Sequence, residues 1–469
     1  MWLCGRRCGL VGAGSQARPH DGYDTGPWAV RSRGLFRLAA RFALMTPDGK
    51  VNAAPNTFSP PSSRQHGIQP MLPRIGILAL HPIQYYVPLY QRLASRGVMD
   101  LDVLYLSDLG HRPEVDSEFG VPIAWNIDLL SGYTHNFISN IASPGTKLGR
   151  LQKLRHWISS HDAVITQGYD NAWMLLTIAI CRSRGIPYIL RCASHAEGRS
   201  GGIRRSLRNA VVRTVVSGSA ACLTVGQLNE QFCQRYGARN ITFAPNSVDD
   251  ERFARAPECG RREVLARWGL PDSRKVVIFC GKLCRRKRPL DLAAAIRLLP
   301  CEVTVLFVGD GPLADQVRAS LAPGQGAVTG FINQEEIPSY YHAADVLVLP
   351  SEAETWGLVV NEAMAAGALP VVSDQVGAAP DLVCGLGEIY ACGDVPALAG
   401  ALSRALARVA DPRTRDMVRQ HAAHHSLDRT VAGFEKAVLT VTKIPGNNSP
   451  LDVFPHAGQS RRGREPEEI

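Results

Sequence analysis

The stretch Ala344-Asp-Val-Leu-Val-Leu-Pro-Ser-Glu-Ala-Glu-Thr-Trp-Gly-Leu-Val-Val-Asn-Glu-Ala-Met-Ala-Ala-Gly367 decides the fold. Its first part, through Pro350, is a short aliphatic and β-branched run that reads as a buried parallel strand. The part after Gly357 has helix-forming composition and stops at Gly367, a natural residue just past a helix C-terminus. Glu354 therefore falls in a strand-to-helix loop and Glu362 inside the helix, about 8 Å apart along the axis at 1.5 Å rise per residue. Between them lie the free backbone N–H groups of the helix start, which favour a phosphate because the positive end of the dipole points there too. Carboxylates repel phosphate but accept strong hydrogen bonds from hydroxyls. The matching ligand is a diphosphate with a hydroxylated ring on each side, which describes a nucleotide-sugar. The competing reading is a pair of ordinary carboxylates near a helix N-terminus, where Asp and Glu are favoured anyway.

Outward from this stretch the chain alternates strand and helix patterns. Strands are predicted at Arg74–Leu80, Asp102–Leu106, Ala163–Thr166, Tyr188–Arg191 and Ala221–Val225, with helical stretches such as Val87–Arg96 and Asn171–Ser183 between them. The rhythm pauses at Asn246 and resumes at Val276–Cys280, Thr304–Val308, Ala327–Thr329, Val346–Leu349 and Leu369–Ser373. Alternation of this kind predicts an α/β fold of two Rossmann-like parallel-sheet domains facing a central cleft, with ligand at the strand carboxyl ends. The boundaries expected are residues 73–248 and 249–426, a helix over 427–443, and a disordered polar tail over 444–469. Residues 1–72 are rich in Arg, Gly, Pro and Ser with little periodicity. They read as a targeting peptide, a disordered extension, or a start called too far upstream of Met45 or Met71. The last is preferred, because a core strand begins almost at once after Met71. The dinucleotide-like Gly12-Ala-Gly14-Ser-Gln-Ala17 has no strand before it and reads as chance.

With 469 residues, 45% of them hydrophobic and 20% charged, the chain has ample length for two or three domains. No apolar run approaches the roughly 18 residues needed to span a bilayer. The twelve cysteines include no CxxC pair, and most sit in apolar runs, which points to free thiols in a reducing, cytoplasmic compartment. Residues 1–71 hold nine basic against three acidic side chains, so over half of the net charge of +10 lies there. The remainder is only mildly basic, and no nucleic-acid-binding motif occurs.

The run Glu354-x7-Glu362, continuing through Ala363-Met364-Ala365 and Gly367 to Pro370-Val-Val, closely resembles the family-4 retaining glycosyltransferases of the GT-B fold, of the bacterial surface polysaccharide and glycolipid type. Phe279-Cys-Gly281-Lys282-Leu283 with Arg285-Arg-Lys287-Arg-Pro289 resembles the family's strand and basic loop. Val308-Gly-Asp-Gly-Pro312, Thr329-Gly-Phe331-Ile332 and Ala244-Pro-Asn-Ser-Val-Asp249 resemble, in order, its next strand-end turns and its interdomain connection. The resemblance implies that Glu362 holds the ribose hydroxyls and Glu354 those of the transferred sugar. It implies that backbone N–H groups of Trp356, Gly357 and Leu358 line sugar and diphosphate, with Thr355 a further donor-binding candidate, and that Phe331 and Ile332 meet the base. It also implies a histidine near the donor sugar, for which His195 is the candidate, and a C-terminal helix that crosses back to the first domain. Two departures stand out: His81-Pro-Ile-Gln84-Tyr-Tyr86 replaces the family's glycine-rich acceptor-side loop, and Thr355-Trp356 replaces the usual Gly-Phe.

The chemistry expected is transfer from a nucleoside-diphosphate-sugar to a glycan or lipid-linked hydroxyl. Lys282, Arg286 and Lys287, beside Gly281 at a strand end, are the cations for the leaving diphosphate. No metal is expected: the only Asp-x-Asp, Asp100-Leu-Asp102, reads as a loop before its strand. His81 and Gln84 are acceptor-side candidates. Lys147, Arg150, Lys153 and Arg155, interleaved with Leu148, Leu151, Leu154 and Trp157, read as a solvated helix face, the alternative being a peripheral contact with the inner face of a membrane. Two other classes compete. A glycan hydrolase or phosphorylase would use both glutamates as acid and base, although a hydrolase has no use for the three cations. A non-catalytic glycan-binding scaffold would not need the complete Glu354, Glu362, Lys282 and Lys287 set.

Overall fold

The computed structural model describes residues 72–442, apart from 109–113, 116–121, 124–125, 140–144 and 195–202. Expectations for the N-terminal extension and the C-terminal tail lie outside the described residues. The first parallel sheet is built from β1 (Arg74–Ala79), β2 (Asp100–Tyr105), β3 (Thr134–Phe137), β4 (Ala163–Gln167), β5 (Tyr188–Arg191), β6 (Ala221–Thr224) and β7 (Ile241–Phe243). The second is built from β8 (Lys275–Cys280), β9 (Val303–Val308), β10 (Gly326–Gly330), β11 (Val346–Leu349), β12 (Leu369–Ser373) and β13 (Glu388–Tyr390). Their orders are β3-β2-β1-β4-β5-β6-β7 and β10-β9-β8-β11-β12-β13. Each order reverses beside its first strand, so each sheet has its switch point, and hence its ligand crevice, at the carboxyl end of that strand. For the second sheet this is the gap between β8 and β11, above Cys280 and Leu349.

The central strands fold as the sequence reads because both their faces are covered. Val276–Phe279, Val305–Phe307 and Val346–Leu349 are without exposure, as near-continuous aliphatic runs in parallel sheets must be. Every strand read from the sequence is present, with ends within two residues of those expected. In these two sheets the strands that were not foreseen, β3, β7 and β13, are all edges. They are short and half exposed, so they carry no long apolar run.

One local reading is overturned. Asp100-Leu-Asp102 is not a loop but the first half of β2, with Asp102 in register with Gly76 and Thr134. Its carboxylate accepts from Trp157 Nε1 at 2.7 Å and lies 3.6 Å from His161 Nε2. The strand tolerates the two acids because those partners, distant in sequence, satisfy Asp102.

The helix Leu427–Thr442 buries Leu427, Val431, Phe434, Ala437 and Val438 in the first domain's core, beside Ile75, Ile77 and Ile165. The crossing back that the resemblance implied is therefore present. Gly433 permits it: a Cβ there would lie 2.4 Å from the Phe243 carbonyl oxygen. Thr430 Oγ1 donates to the Pro245 carbonyl at 2.8 Å and meets Ser247 Oγ at 2.7 Å, joining the returning chain to the outgoing one. Among the described residues no helix is long and apolar enough to cross a membrane, and every cysteine is free.

Candidate functional site

The site grows from the turn after β8. Gly281 and Gly309 close two neighbouring strand ends with no side chain between them: a Cβ on Gly309 would sit 2.0 Å from the Gly281 carbonyl oxygen. The chain then makes a tight turn over Arg285–Lys287 and passes through Arg288, the one non-glycine among the described residues with a positive φ, 50°. Arg288 is held in that uncommon conformation by Asp291 at 2.7 Å.

The turn faces the loop carrying Glu354. Arg286 donates to the Ala353 carbonyl at 2.9 Å, and Glu352 N–H donates back to the Arg286 carbonyl at 2.9 Å. Lys287 Nζ makes a direct ion pair with Glu354 Oε2, and both side chains are largely buried. Arg286 stands 3.9 Å from the same oxygen. Thus the turn and the loop, 67 residues apart in sequence, form one polar unit at the carboxyl ends of β8 and β11. Lys282 starts that turn directly after Gly281.

Gly357 follows with φ 100° and begins the Leu358–Ala365 helix, whose start carries no side-chain cap. A Cβ on Gly357 would press to 2.9 Å from a Leu349 methyl, so glycine is required for both its angle and its space. Thr355 precedes Trp356, whose indole is buried and donates to Asn361 Oδ1 at 2.9 Å. Asn361 in turn donates to the Asn246 carbonyl at 3.1 Å. Arg191, at the end of β5, donates to Asn246 Oδ1 at 3.0 Å and to the Ala244 carbonyl at 2.8 Å. A polar relay thereby runs from the first domain through the interdomain connection to the glutamate helix. A second tie is Asp381, which accepts from Gln227 N–H at 3.0 Å and caps a helix of the other domain that has no cap of its own.

Glu362 is 2% exposed. Tyr341 donates to its Oε2 at 2.6 Å, whereas Oε1 is buried with no hydrogen-bond partner. Burial pushes its carboxyl up to about 7, against the Tyr341 hydrogen bond and the Arg252 charge, which favour the anion. An open, desolvated acceptor of this kind is costly unless a donor arrives. Phe331 and Ile332 follow Gly330 at the end of β10, with Ile332 against the second domain's core.

From the first domain, the loop after β1 brings His81, Gln84 and Tyr85. Burial lowers the His81 imidazole below its usual range, so it is neutral at physiological pH. Tyr85 reaches across to pack on the core of the second domain. His195 lies outside the described residues. The basic helix Lys147–Ser159 turns Leu154, Trp157 and Ile158 inward. Its Arg150 stands over the Trp173 ring at 5.6 Å, and its Lys153 bonds the Phe137 carbonyl, leaving Leu148 as its exposed apolar residue.

Of the residues foreseen in the second domain, Gly281, Lys282, Arg286, Lys287, Glu354 and Gly357 gather at the carboxyl ends of β8 and β11, and Glu362 is buried in the helix that follows. Tyr341, Tyr85, Arg191 and Asn361 were not foreseen. Only Asn361, adjacent to Glu362, had a signal within the motif.

Residues 274–408 match the family Glycosyl transferases group 1. The D-inositol 3-phosphate glycosyltransferase 1 of Catenulispora acidiphila is 30% identical over 295 residues, covering 55% of this chain and 69% of that protein. Arabidopsis thaliana sulfoquinovosyl transferase SQD2 is 35% identical over 147 residues, 31% of this chain and 28% of that one. The chain spans only half the length of another relative, the Bacillus subtilis protein TuaC, with 29% identity over 203 residues. Among solved structures, Anabaena HepE in complex with UDP and glucose superposes with a TM-score of 0.58 at 16% identity, over 79% of this chain and all of that one. A Rickettsia africae glycosyltransferase does so with a TM-score of 0.61 at 14% identity, over 79% of this chain and 99% of that one. At these identities the structural likeness speaks for the two-domain fold.

Proposed function

Since this chain belongs to the group 1 glycosyl transferases, we propose that it moves a hexose from a nucleoside-diphosphate-sugar to a hydroxyl of a glycan or lipid-linked acceptor, with retention at the anomeric carbon. The observation that carries this reading is the pairing of the Lys287–Glu354 unit with the open oxygen of Glu362 around an uncapped helix start. On this reading each carboxylate accepts from one hydroxylated ring, and the cations and helix N–H groups meet the diphosphate.

In the proposed reaction the bond between the anomeric carbon and the β-phosphate oxygen breaks, and its electrons stay on that oxygen. Lys282, Arg286, Lys287 and the helix start neutralise the growing charge. The acceptor hydroxyl attacks the same face, and its proton passes to the departing phosphate oxygen. Glu354, already paired to Lys287, is held as a hydrogen-bond acceptor for the sugar rather than as a covalent nucleophile. His81 and Gln84 are proposed for the acceptor side, and His195 for the donor sugar. Free thiols throughout the described residues fit action in the reducing cytoplasm. A relative named as a phosphatidylinositol dimannoside mannosyltransferase supports a lipid-linked acceptor.

With Lys282, Arg286 and Lys287 proposed to neutralise the diphosphate, turnover is expected without added metal. The test is a panel of nucleoside diphosphates and nucleotide-sugars screened by thermal shift, followed by donor turnover with and without EDTA. A ligand at 100 times its dissociation constant stabilises by about 2.7 kcal/mol. No shift with any nucleotide would sink the reading, and activity abolished by EDTA and restored by magnesium would sink its metal-free form.

A further inference from the structure

The first-domain helix Gln227–Arg235 starts at Gly226, which has no side chain to cap it. Its N–H at Gln227 is taken instead by both carboxylate oxygens of Asp381 in the second domain, at 3.0 and 3.2 Å. Gln227 Nε2 donates to the neighbouring Pro380 carbonyl at 3.5 Å. Glycine is not required at 226 by its backbone, which is extended with φ 177° and open to any residue. It is required by what the other domain brings, since a Cβ there would lie 2.6 Å from Trp356 Cζ3 and 2.7 Å from Asp381 Oδ2. Two second-domain side chains thus close on one backbone position of the first domain.

Each side of this contact leads to a different wall of the crevice. In the second domain, Asp381 N–H donates to the Ala378 carbonyl at 3.1 Å, and Ala378 N–H to the Trp356 carbonyl at 3.0 Å. Gly377 N–H donates to the Glu354 carbonyl at 2.9 Å, so the turn that ends in Asp381 braces the Glu354 loop. In the first domain, Asn229 lies in the first turn of the capped helix and is buried. It accepts from Val225 N–H at 3.1 Å and donates to the Ser194 carbonyl at 2.8 Å, holding the chain that leaves β5. We propose that Asp381 is a positioning residue that latches the two domains: it caps the Gln227 helix across the domain boundary and so sets the Glu354 loop against the first-domain chain at Ser194. When the domains part, the helix loses its cap and the Glu354 loop loses its outer anchor. The latch stands on these contacts alone, whereas its effect on transfer rests on the reading of Glu354 as a donor-sugar residue.

The experiment compares the full chain with its Asp381→Ala, Asp381→Asn and Gly226→Ala variants. Three measurements are made: small-angle scattering, calorimetry with UDP, GDP and ADP, and donor turnover. For Asp381→Ala the radius of gyration rises, and turnover at saturating donor falls about fivefold, the factor of one lost helix cap. Nucleoside diphosphate affinity stays within about twofold, well under the factor of ten that 1.4 kcal/mol represents, because the nucleotide is read as bound by the second domain. Asn caps as well as Asp, so Asp381→Asn behaves as the unaltered chain does. Gly226→Ala gives the alanine phenotype from the other domain, with Asp381 intact. Combining it with Asp381→Ala adds little, since the same contact is already lost. An unchanged radius of gyration in both alanine variants would overturn the latch. So would an asparagine variant as impaired as the alanine one, or nucleotide affinity falling in step with turnover. If the unaltered chain binds no nucleoside diphosphate, the transferase reading fails by itself, and scattering still decides the latch.

Discussion

The loop around Glu354 and the helix around Glu362 are one continuous piece of chain, yet they hold their carboxylates in opposite electrostatic states. In the loop, Glu354 is met by Lys287 and approached by Arg286, and its backbone bridges to Gln375 and Gly377. In the helix, Glu362 has one donor, one open oxygen and a carboxyl pushed up to about 7. The same residue type, eight positions on, becomes a satisfied anion in one place and an unsatisfied one in the other. The difference teaches that the loop arm is satisfied within the chain itself, whereas the helix arm keeps an acceptor open.

The largest effect that tests this contrast comes from the loop arm. Lys287→Ala removes a cation proposed to meet the diphosphate and leaves Glu354 without its partner. Donor turnover is expected to fall about 10²- to 10³-fold, the usual size for loss of one charge-stabilising donor. A drop under about tenfold in steady-state turnover would mean that Glu354 and Lys287 serve the fold rather than the reaction.

The helix arm predicts a gain and a loss in one variant. Burial raises the Glu362 carboxyl from 4.5 to about 7. The folded protein therefore holds this proton more tightly than the unfolded chain does. The cost of the buried anion is absent below pH 4.5, grows between 4.5 and 7, and is fully present above 7, where it amounts to about 3 kcal/mol at most. Glu362→Gln should stabilise the ligand-free protein at pH 8 by up to about 3 kcal/mol and change little at pH 4.5, read by urea unfolding. Nucleoside diphosphate affinity should fall some 10- to 100-fold in the same variant, since a charge-assisted acceptor is lost. Equal stability at pH 8 would show that Glu362 is not strained by burial.

The smallest expected effect sharpens the contrast most. Glu354→Ala should leave free nucleoside diphosphate affinity within about threefold, below the roughly 1.4 kcal/mol of a tenfold change, while it cuts binding and turnover of the complete donor. Calorimetry with both ligands decides this. Matching losses for diphosphate and donor would place both carboxylates on the nucleotide.

Much of this was legible in sequence because the central strands are covered on both faces, so that runs such as Val346–Leu349 carry their own signal. The strand-end positions of Lys282, Lys287 and Glu354 followed from those runs. The edge strand Thr134–Phe137, alternating exposed and half-buried residues, offered no such run. Asp100 and Asp102 misled because acidic residues rarely start a strand, and their partner Trp157 is invisible from their neighbourhood. Tyr341 reaches Glu362 from 21 residues away. Nothing local to a tyrosine tells which carboxylate it will meet.

The meeting of the two interdomain passages at Thr430 and Pro245 has a mechanical consequence. Two covalent tethers running side by side, pinned to each other, act as a door hinge does. They resist sliding and twisting of one half over the other and leave rotation about a single line as the soft degree of freedom. Contacts close to it, such as Asn361 on Asn246, hardly move at all.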